Sequence, residues 1–527
     1  MHDDSKEDSR DPFLPRHGAP GLNGKQRIDP SALPPHIRAM LEPNFYPHAT
    51  HDIELLQTHI SWVILTGPYA YKLKKPVNFG FLDFTTIEQR RHYCEEELRL
   101  NRRTSPELYL KVIPVGETAG DFHLGTNGHI TDYCLKMVQF SQGDLLSARL
   151  EADRFDPAWM DMLAHDIAAF HKAAETGPEI RAFGDRHYIR EHIEANLEVA
   201  EQHPDTPQID TIRAHTEALF DGHSAHFAER QRRGHIRACH GDLHLRNIAL
   251  YDERPHLFDC IEFSDELRMI DTISDVAFLV MDCDARLRPD LGFRFLSRYL
   301  EATGDYEGLM LLPFYLSYRA SVRGKVAYLL ADAQDTDEAL RREQLSEARR
   351  YFVLAGEYSR DRNPTLFVVG GLSGSGKSHL ALQGCGIERA ITIRSDATRK
   401  RLAESRPDLS LYGDELDAMT YAAMFDAARQ VIHAGFSAIM DATFLRREDR
   451  DTARGLAGSL DVPLKILWLE IPPDLLRRRI RTRTKQGRDV SDADLEVLEM
   501  QLADYRRPDE DDILFLESSA AWPRTDW

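Results

Sequence analysis

Nowhere does this 527-residue chain approach the run of roughly 18 uncharged apolar residues that a membrane-spanning helix needs, which excludes a helical membrane anchor. The N-terminus also lacks an apolar signal core, and residues 1–25 read as a polar, unstructured tail. Cysteine is scarce: Cys94, Cys134, Cys239, Cys260, Cys283 and Cys385 form no C-x-x-C pair, so neither a zinc knuckle nor a disulfide framework is indicated. A reducing cytoplasm is the compartment that fits. Basic charge is in deficit, with 66 Lys and Arg against 86 Asp and Glu and a net charge of −20. The part from residue 364 onward contributes −4 and the part before it −16, so neither half has the balance of a protein that coats long nucleic acid. Internal repeats and low-complexity tracts are missing too, which removes solenoid architectures.

What is present is phosphate chemistry, twice. Gly371, Leu372, Ser373, Gly374, Ser375, Gly376, Lys377 and Ser378 spell G-x-x-x-x-G-K-S. TLFVVG before it reads as a buried strand and HLALQG after it as the first turns of a helix. That order lets the glycine loop curl its backbone N–H groups, backed by a helix N-terminus, around the β-phosphate of ATP. Lys377 then reaches the β and γ oxygens, and the Ser378 hydroxyl ligates magnesium. Further apolar runs at 388–396, 436–444 and 463–472 alternate with helical stretches, the pattern of a parallel sheet covered on both faces. Each run ends in polar residues, and such sheets hold ligands at the carboxyl ends of their strands. Asp441 suits the acidic metal partner of Ser378, its alternative being a helix cap. Asp396 suits a base for an acceptor hydroxyl, with Arg399 one turn on; a capping role for Ser395 or Asp396 is the alternative. Downstream, Arg477 to Arg488 gathers seven positive charges in twelve residues with no acid.

These pieces resemble the P-loop kinases that phosphorylate hydroxyl groups, including polynucleotide 5′-hydroxyl kinases and zeta-toxin-like kinases. The resemblance rests on GLSGSGKS, on D-x-x-R at Asp396 to Arg399, on DATF at 441–444 and on the arginine-rich segment. It implies Asp396 as base, Arg399 as substrate contact, and Arg483 and Arg488 as lid residues on the transferring phosphate.

The second signature is HGDLHLRN. Asp242 precedes Asn247 by five residues, as in the protein-kinase catalytic loop, where the aspartate takes the hydroxyl proton and the asparagine binds metal. IALYDERPHLF reads as a hairpin and delivers Asp259, in DCI rather than D-F-G, as a second metal ligand. His-Gly-Asp resembles the aminoglycoside phosphotransferase and kinase-like small-molecule kinases. By that resemblance Lys72 in YAYKLKKP holds the α and β phosphates and pairs with Glu96 on the next helix; Glu95 and Glu97 are rivals for the pairing, and Lys74 and Lys75 for the lysine. LKMVQFSQGDLL resembles the hinge that reads adenine. No G-x-G-x-x-G precedes Lys72. His240 reads as a brace for the loop, and His48, His51 and His59 fit no metal spacing.

The expected architecture is therefore an α+β kinase-like two-lobed domain at 26–362, followed by an α/β P-loop domain with a parallel sheet at 363–527. The DRNP breaker after a polar-faced helix at 335–360 marks the cut. The expected function is a bifunctional phosphotransferase using ATP and magnesium on hydroxyl-bearing small-molecule acceptors. A regulatory ATP-binding protein without phosphoryl transfer, or a C-terminal nucleotide or nucleic-acid 5′-hydroxyl kinase, are the alternatives.

Overall fold

The computed structural model describes residues 33–523 except 79, 81, 334, 335, 361, 411, 412, 487–494 and 518–520; the tail at 1–25 lies outside the described residues. The side chains of residues 483–486 are likewise left undescribed. The chain gathers into two compact units, one of residues up to 155 together with 246–263, the other of residues 156–245 together with 264–527.

In the first unit, short β-branched and aromatic runs build a six-stranded antiparallel sheet. Its order is Glu54–Gln57, Ser61–Leu65, Tyr69–Lys74, His129–Val138, Tyr109–Thr118, Asp121–Leu124. The Tyr69–Lys74 strand is central, between Ser61–Leu65 and His129–Val138. The helix Ile87–Asn101 opens at Thr86, whose hydroxyl accepts from the Gln89 N–H while the Gln89 side chain accepts from the Thr86 N–H. That capping box fixes the helix start and hence its rotational phase. Ile248–Tyr251 and Arg254–Leu257 form the expected hairpin, with Ile248 opposite Leu257.

The second unit holds the helices and the parallel sheet. Thr272–Ala285 is buried along nearly its whole length, its Asp275 and Asp282 included, as a core helix is. The five-stranded sheet runs Ile391–Arg394, Ala438–Asp441, Leu366–Gly370, Leu464–Leu469, Ile513–Leu516, every pairing parallel. Three of these strands fall in the apolar runs expected at 388–396, 436–444 and 463–472, and TLFVVG supplies the centre. The last strand, Ile513–Leu516, escaped the sequence reading because it is short and half-buried. No helix among the described residues is long and apolar enough to cross a membrane.

Candidate nucleotide and phosphoryl-transfer sites

The loop after Leu366–Gly370 is shaped by its glycines. Gly371 has φ +136°, where a Cβ would sit 2.8 Å from the Leu469 carbonyl oxygen, and Gly376 has φ +101° at the N-terminus of the helix Lys377–Ile387. Both conformations are closed to side chains, so the loop can form only with glycine there. Around it lies a cavity of about 250 Å³. Lys377, Ser378, Asp396 and Asp441 all line it, together with Arg394 and Arg479. Asp396 occupies the first turn of the helix Ser395–Ser405, whose start is capped by no side chain, and the next helix after Asp441 begins only at Arg447. The capping alternatives for both aspartates are thus not used.

Asp441 is 3% exposed, and its Oδ2 has no hydrogen-bond partner. Burial raises its carboxyl above the ordinary range, against the pull of Lys377, the Ser378 hydroxyl and Arg394. A buried carboxylate oxygen without a partner is costly, and next to a hydroxyl it offers a hard oxygen donor pair. The donor set fits magnesium.

Arg399 does not line the cavity; its Nη2 donates to Asp417 Oδ1 at 2.9 Å. Among the described side chains of the arginine-rich helix Pro473–Gln486, Arg479 reaches the loop, its Nη1 donating to the Ser375 carbonyl at 2.9 Å. A Cβ on Gly374 would press on Ile480, which shows how closely this helix seats on the loop. Arg483 is carried by the same helix, its side chain undescribed, and Arg488 lies outside the described residues. The charge run located the helix, while the residue touching the loop follows from its rotation.

In the first unit the lysine cluster resolves into a buried network. Lys72 and Lys74 are two apart on a strand and therefore face the same side. Lys72 Nζ donates to Glu97 Oε1 at 2.8 Å and to Asp259 at 2.5 Å. Lys74 donates to Glu97 Oε2 at 2.5 Å and to Glu262. This corrects the pairing expected with Glu96, which instead binds Arg99 on the exposed face at 2.8 Å. One residue turns a helix by about 100°, so the choice was one of phase. Cys94 and Leu100, each three residues from Glu97, share its buried face, and that spacing was the available signal. Lys74, expected only as a rival for Lys72, shares Glu97 with it, and Glu262 as a further partner was not foreseen. Lys75 stands apart, its Nζ 5.6 Å from the Trp62 ring centroid.

Burial pushes the Glu97 carboxyl up, but Lys72 and Lys74 overcome this and hold it down to about 2. Glu262 moves the other way, raised by burial and by Glu97 against Lys74. Lys74→Met would leave two buried carboxylates sharing one lysine. It is expected to cost about 3–5 kcal/mol, read as a drop in the denaturant midpoint at unchanged slope.

The hairpin returns the chain so that Phe258 N–H donates to the Asn247 carbonyl at 3.0 Å, setting Asn247 beside the Asp259 segment. Asp259 has φ +62°, and its N–H donates to the Tyr109 hydroxyl at 3.0 Å. A left-handed aspartate is strained backbone, held here by its neighbours.

Asp242 belongs to the second unit. The N–H groups of His240 and Gly241 both donate to Asp275, at 3.0 Å each, and Leu245 N–H donates to Asp282 at 2.9 Å. Arg319 donates to the Gly241 and Ser274 carbonyls. These braces come from the helices Thr272–Ala285 and Leu312–Asp332, far along the chain, and carried no local signal. His240 braces the loop as expected, its Nδ1 accepting from Asp242 N–H at 3.3 Å. Burial would raise the Asp242 carboxyl, but His244, 3.3 Å away, with Arg323 and His240, holds it well below the usual range. Burial likewise opposes, and Arg286, His244, Arg323 and the Leu245 N–H outweigh, for Asp282, held at about 2. Among the described residues, His171, Cys239 and Asp275 bring three His, Cys, Asp or Glu ligand atoms together, but Asp275 is already occupied by the loop. His48 donates to or accepts from Tyr71 instead of joining His51 and His59.

Asp242 and Asp282 have folded values below their unfolded ones, so the stability they add is present above about pH 4 and lost as pH falls further. Thermal melting is expected to drop steadily between about pH 5 and 2, with Asp282→Asn flattening that slope.

Geometry of this kind defines a kinase-like phosphotransferase region joined to a P-loop nucleotide-binding domain. Family models agree: the "Phosphotransferase enzyme family" matches residues 89–312 and "AAA domain" matches residues 366–508. Two relatives, the uncharacterized proteins Mb2027c of Mycobacterium bovis and Rv2004c of Mycobacterium tuberculosis, are each 30% identical over 465 residues, covering 86% of this chain and 91% of theirs. The chain belongs to the same family as these relatives. Among solved structures, a choline/ethanolamine kinase family protein from Mesorhizobium loti aligns with 62% of this chain and 97% of its own at 14% identity, TM-score 0.35. A gluconokinase from Sinorhizobium meliloti 1021 aligns with 30% of this chain and 85% of its own at 21% identity, TM-score 0.24.

Proposed function

We propose that the chain is a bifunctional phosphotransferase, with functional halves at 26–362 and 363–527, each passing the ATP γ-phosphoryl to a hydroxyl-bearing small molecule. The observation that carries the C-terminal activity is the convergence of Lys377, Ser378, Asp396 and Asp441 on one cavity. Lys377 neutralises the β and γ oxygens, and the loop N–H groups fix the phosphates. Asp396 takes the acceptor proton as the acceptor oxygen bonds to phosphorus and the bond to the β-phosphate oxygen breaks, releasing ADP. Ser378 and Asp441 would hold magnesium, which supplies charge neutralisation on the phosphates when bound.

For the N-terminal half, the proposal assigns Lys72, steadied by Glu97, to the α and β phosphates, Asn247 and Asp259 to magnesium, and Asp242 to the acceptor proton. The support is the low-held Asp242 carboxyl, a base ionised at neutral pH, and the Lys72–Glu97 pair. A cytoplasmic setting accords with six cysteines that are all free thiols. The acidity of both halves favours small acceptors over long nucleic acid.

The test is transfer of labelled γ-phosphate from ATP into a cytosolic small-molecule extract by the full chain. A product lost in Lys377→Ala or in Asp242→Asn assigns the responsible half. No labelled product, with ATP still bound, overturns the enzyme reading in favour of a nucleotide-binding regulator.

A further inference from the structure

The strand Ile391–Arg394 is an edge of the parallel sheet, and an edge strand exposes unpaired N–H groups. Here the helix Pro289–Thr303 covers it: Thr392 N–H donates to Ser297 Oγ at 3.0 Å. That helix lies inside the region matched to the phosphotransferase family, whereas the strand lies inside the AAA domain match. The same helix carries Glu301, whose two carboxylate oxygens accept from Arg394 Nε at 2.7 Å and from Arg394 Nη2. Glu301 is itself gripped through both oxygens by Arg298 at 3.0 Å, and Arg298 reaches Asp161 at 3.3 Å. Glu301 is buried at 4% exposure and Arg394 mostly so at 12%.

Arg394 ends its strand directly opposite Asp441 and lines the P-loop cavity together with Asp441 and Asp396. A series of alternating charges, Asp161, Arg298, Glu301, Arg394, thus leads from the helices of one family region into the nucleotide site of the other. Glu301 uses one edge of the guanidinium fork, and the fork geometry leaves its other nitrogen as a donor suited to an oxyanion. Glu301 and Asp441 offset the burial of the guanidinium, so Arg394 stays charged at the cavity wall.

Resting on the P-loop reading above, we propose that Arg394 contacts the γ-phosphoryl group in the C-terminal site. Glu301, supplied by the phosphotransferase-family region, is the positioning residue that holds it there. The P-loop site is then incomplete without the preceding half of the chain.

The experiment uses the full chain in a Lys72→Met background, which weakens the N-terminal nucleotide site, and measures binding of ATP and of ADP with magnesium by calorimetry. Arg394→Ala and Glu301→Gln are each expected to weaken ATP by about 10- to 100-fold while ADP changes by less than about threefold. Arg394→Lys should recover part of the ATP preference, and the double variant should be no worse than Arg394→Ala alone. Equal weakening of ATP and ADP would show a merely structural contact and overturn the proposal, as would an unchanged ratio. Thermal melting checks that each variant folds, and if Glu301→Gln does not, the Arg394→Lys ratio decides. Lys377→Ala separates the layers: intact ATP binding there removes the P-loop reading itself. Loss in Lys377→Ala with an unchanged ratio in the Glu301 and Arg394 variants removes the inference alone.

Discussion

Replacing Lys377 with alanine is expected to reduce phosphoryl transfer by the C-terminal half by about 10² to 10³, the usual worth of one preorganised electrostatic contact to the reacting group. The reason lies in where the ammonium sits. Lys377 is the first residue of its helix, it donates to the Leu372 carbonyl at 3.0 Å, and it lines the cavity with Ser378, Asp396 and Asp441. In water a single charge near a phosphate is worth little, but in a walled cavity its field is poorly screened. Alanine also leaves Asp441 without its principal cationic neighbour, so the carboxyl, already raised by burial, should rise further and hold metal less well. The measurement is the magnesium dependence of labelled-phosphate transfer: the variant should need more magnesium as well as run more slowly. Undiminished transfer attributable to this half would remove the P-loop argument.

Asp242→Asn is expected to slow transfer by the N-terminal half by about 10² to 10⁴ while leaving its ATP affinity nearly unchanged. Asparagine has the shape of aspartate but cannot take a proton. The loop backbone should survive the change, since His240, Gly241 and Leu245 are anchored through their N–H groups to Asp275 and Asp282, not through the Asp242 side chain. Because Asp242 is held well below the ordinary carboxylate range, the wild-type rate should show no acid limb from this group above about pH 5. Asp275→Asn offers the contrast: it weakens the anchor instead of the base, so loss there should appear with lowered thermal stability. Equal rates for wild type and Asp242→Asn in single-turnover transfer would show that Asp242 is not the base.

The P-loop was readable because its chemistry is local. Strand, glycine loop, lysine and hydroxyl follow one another directly from Leu366 to Ser378, so spacing alone nearly fixes their geometry. Asp242, Asn247 and Asp259 stand out as candidates for the same reason, since a hairpin of fixed length separates the last two. Glu97 was harder, because three consecutive glutamates compete and only the phase set by Cys94, Leu100 and the Thr86 cap picks one. Arg479 was blurred within a run of arginines whose facing side depends on how the helix seats on Gly374 and Ser375. Arg399 shows the converse: one turn from Asp396 it shared the expected opening by periodicity, yet Asp417, eighteen residues on, draws its guanidinium away.

The sequence by itself determined the two phosphate-handling motifs, the alternation of strands and helices around the first of them, and the free-thiol, acidic character of the chain. These follow from short-range covalent spacing and side-chain periodicity, which no later folding step can change. Tertiary structure alone decided which carboxylates meet which cations. Lys74 with Glu262, Asp275 and Asp282 with the loop N–H groups, and Glu301 with Arg394 are separated by 188, 34 to 37 and 93 positions in the chain. Such pairs form because a charge taken out of water must find a partner wherever packing brings one, and packing is a property of the whole core, not of any segment.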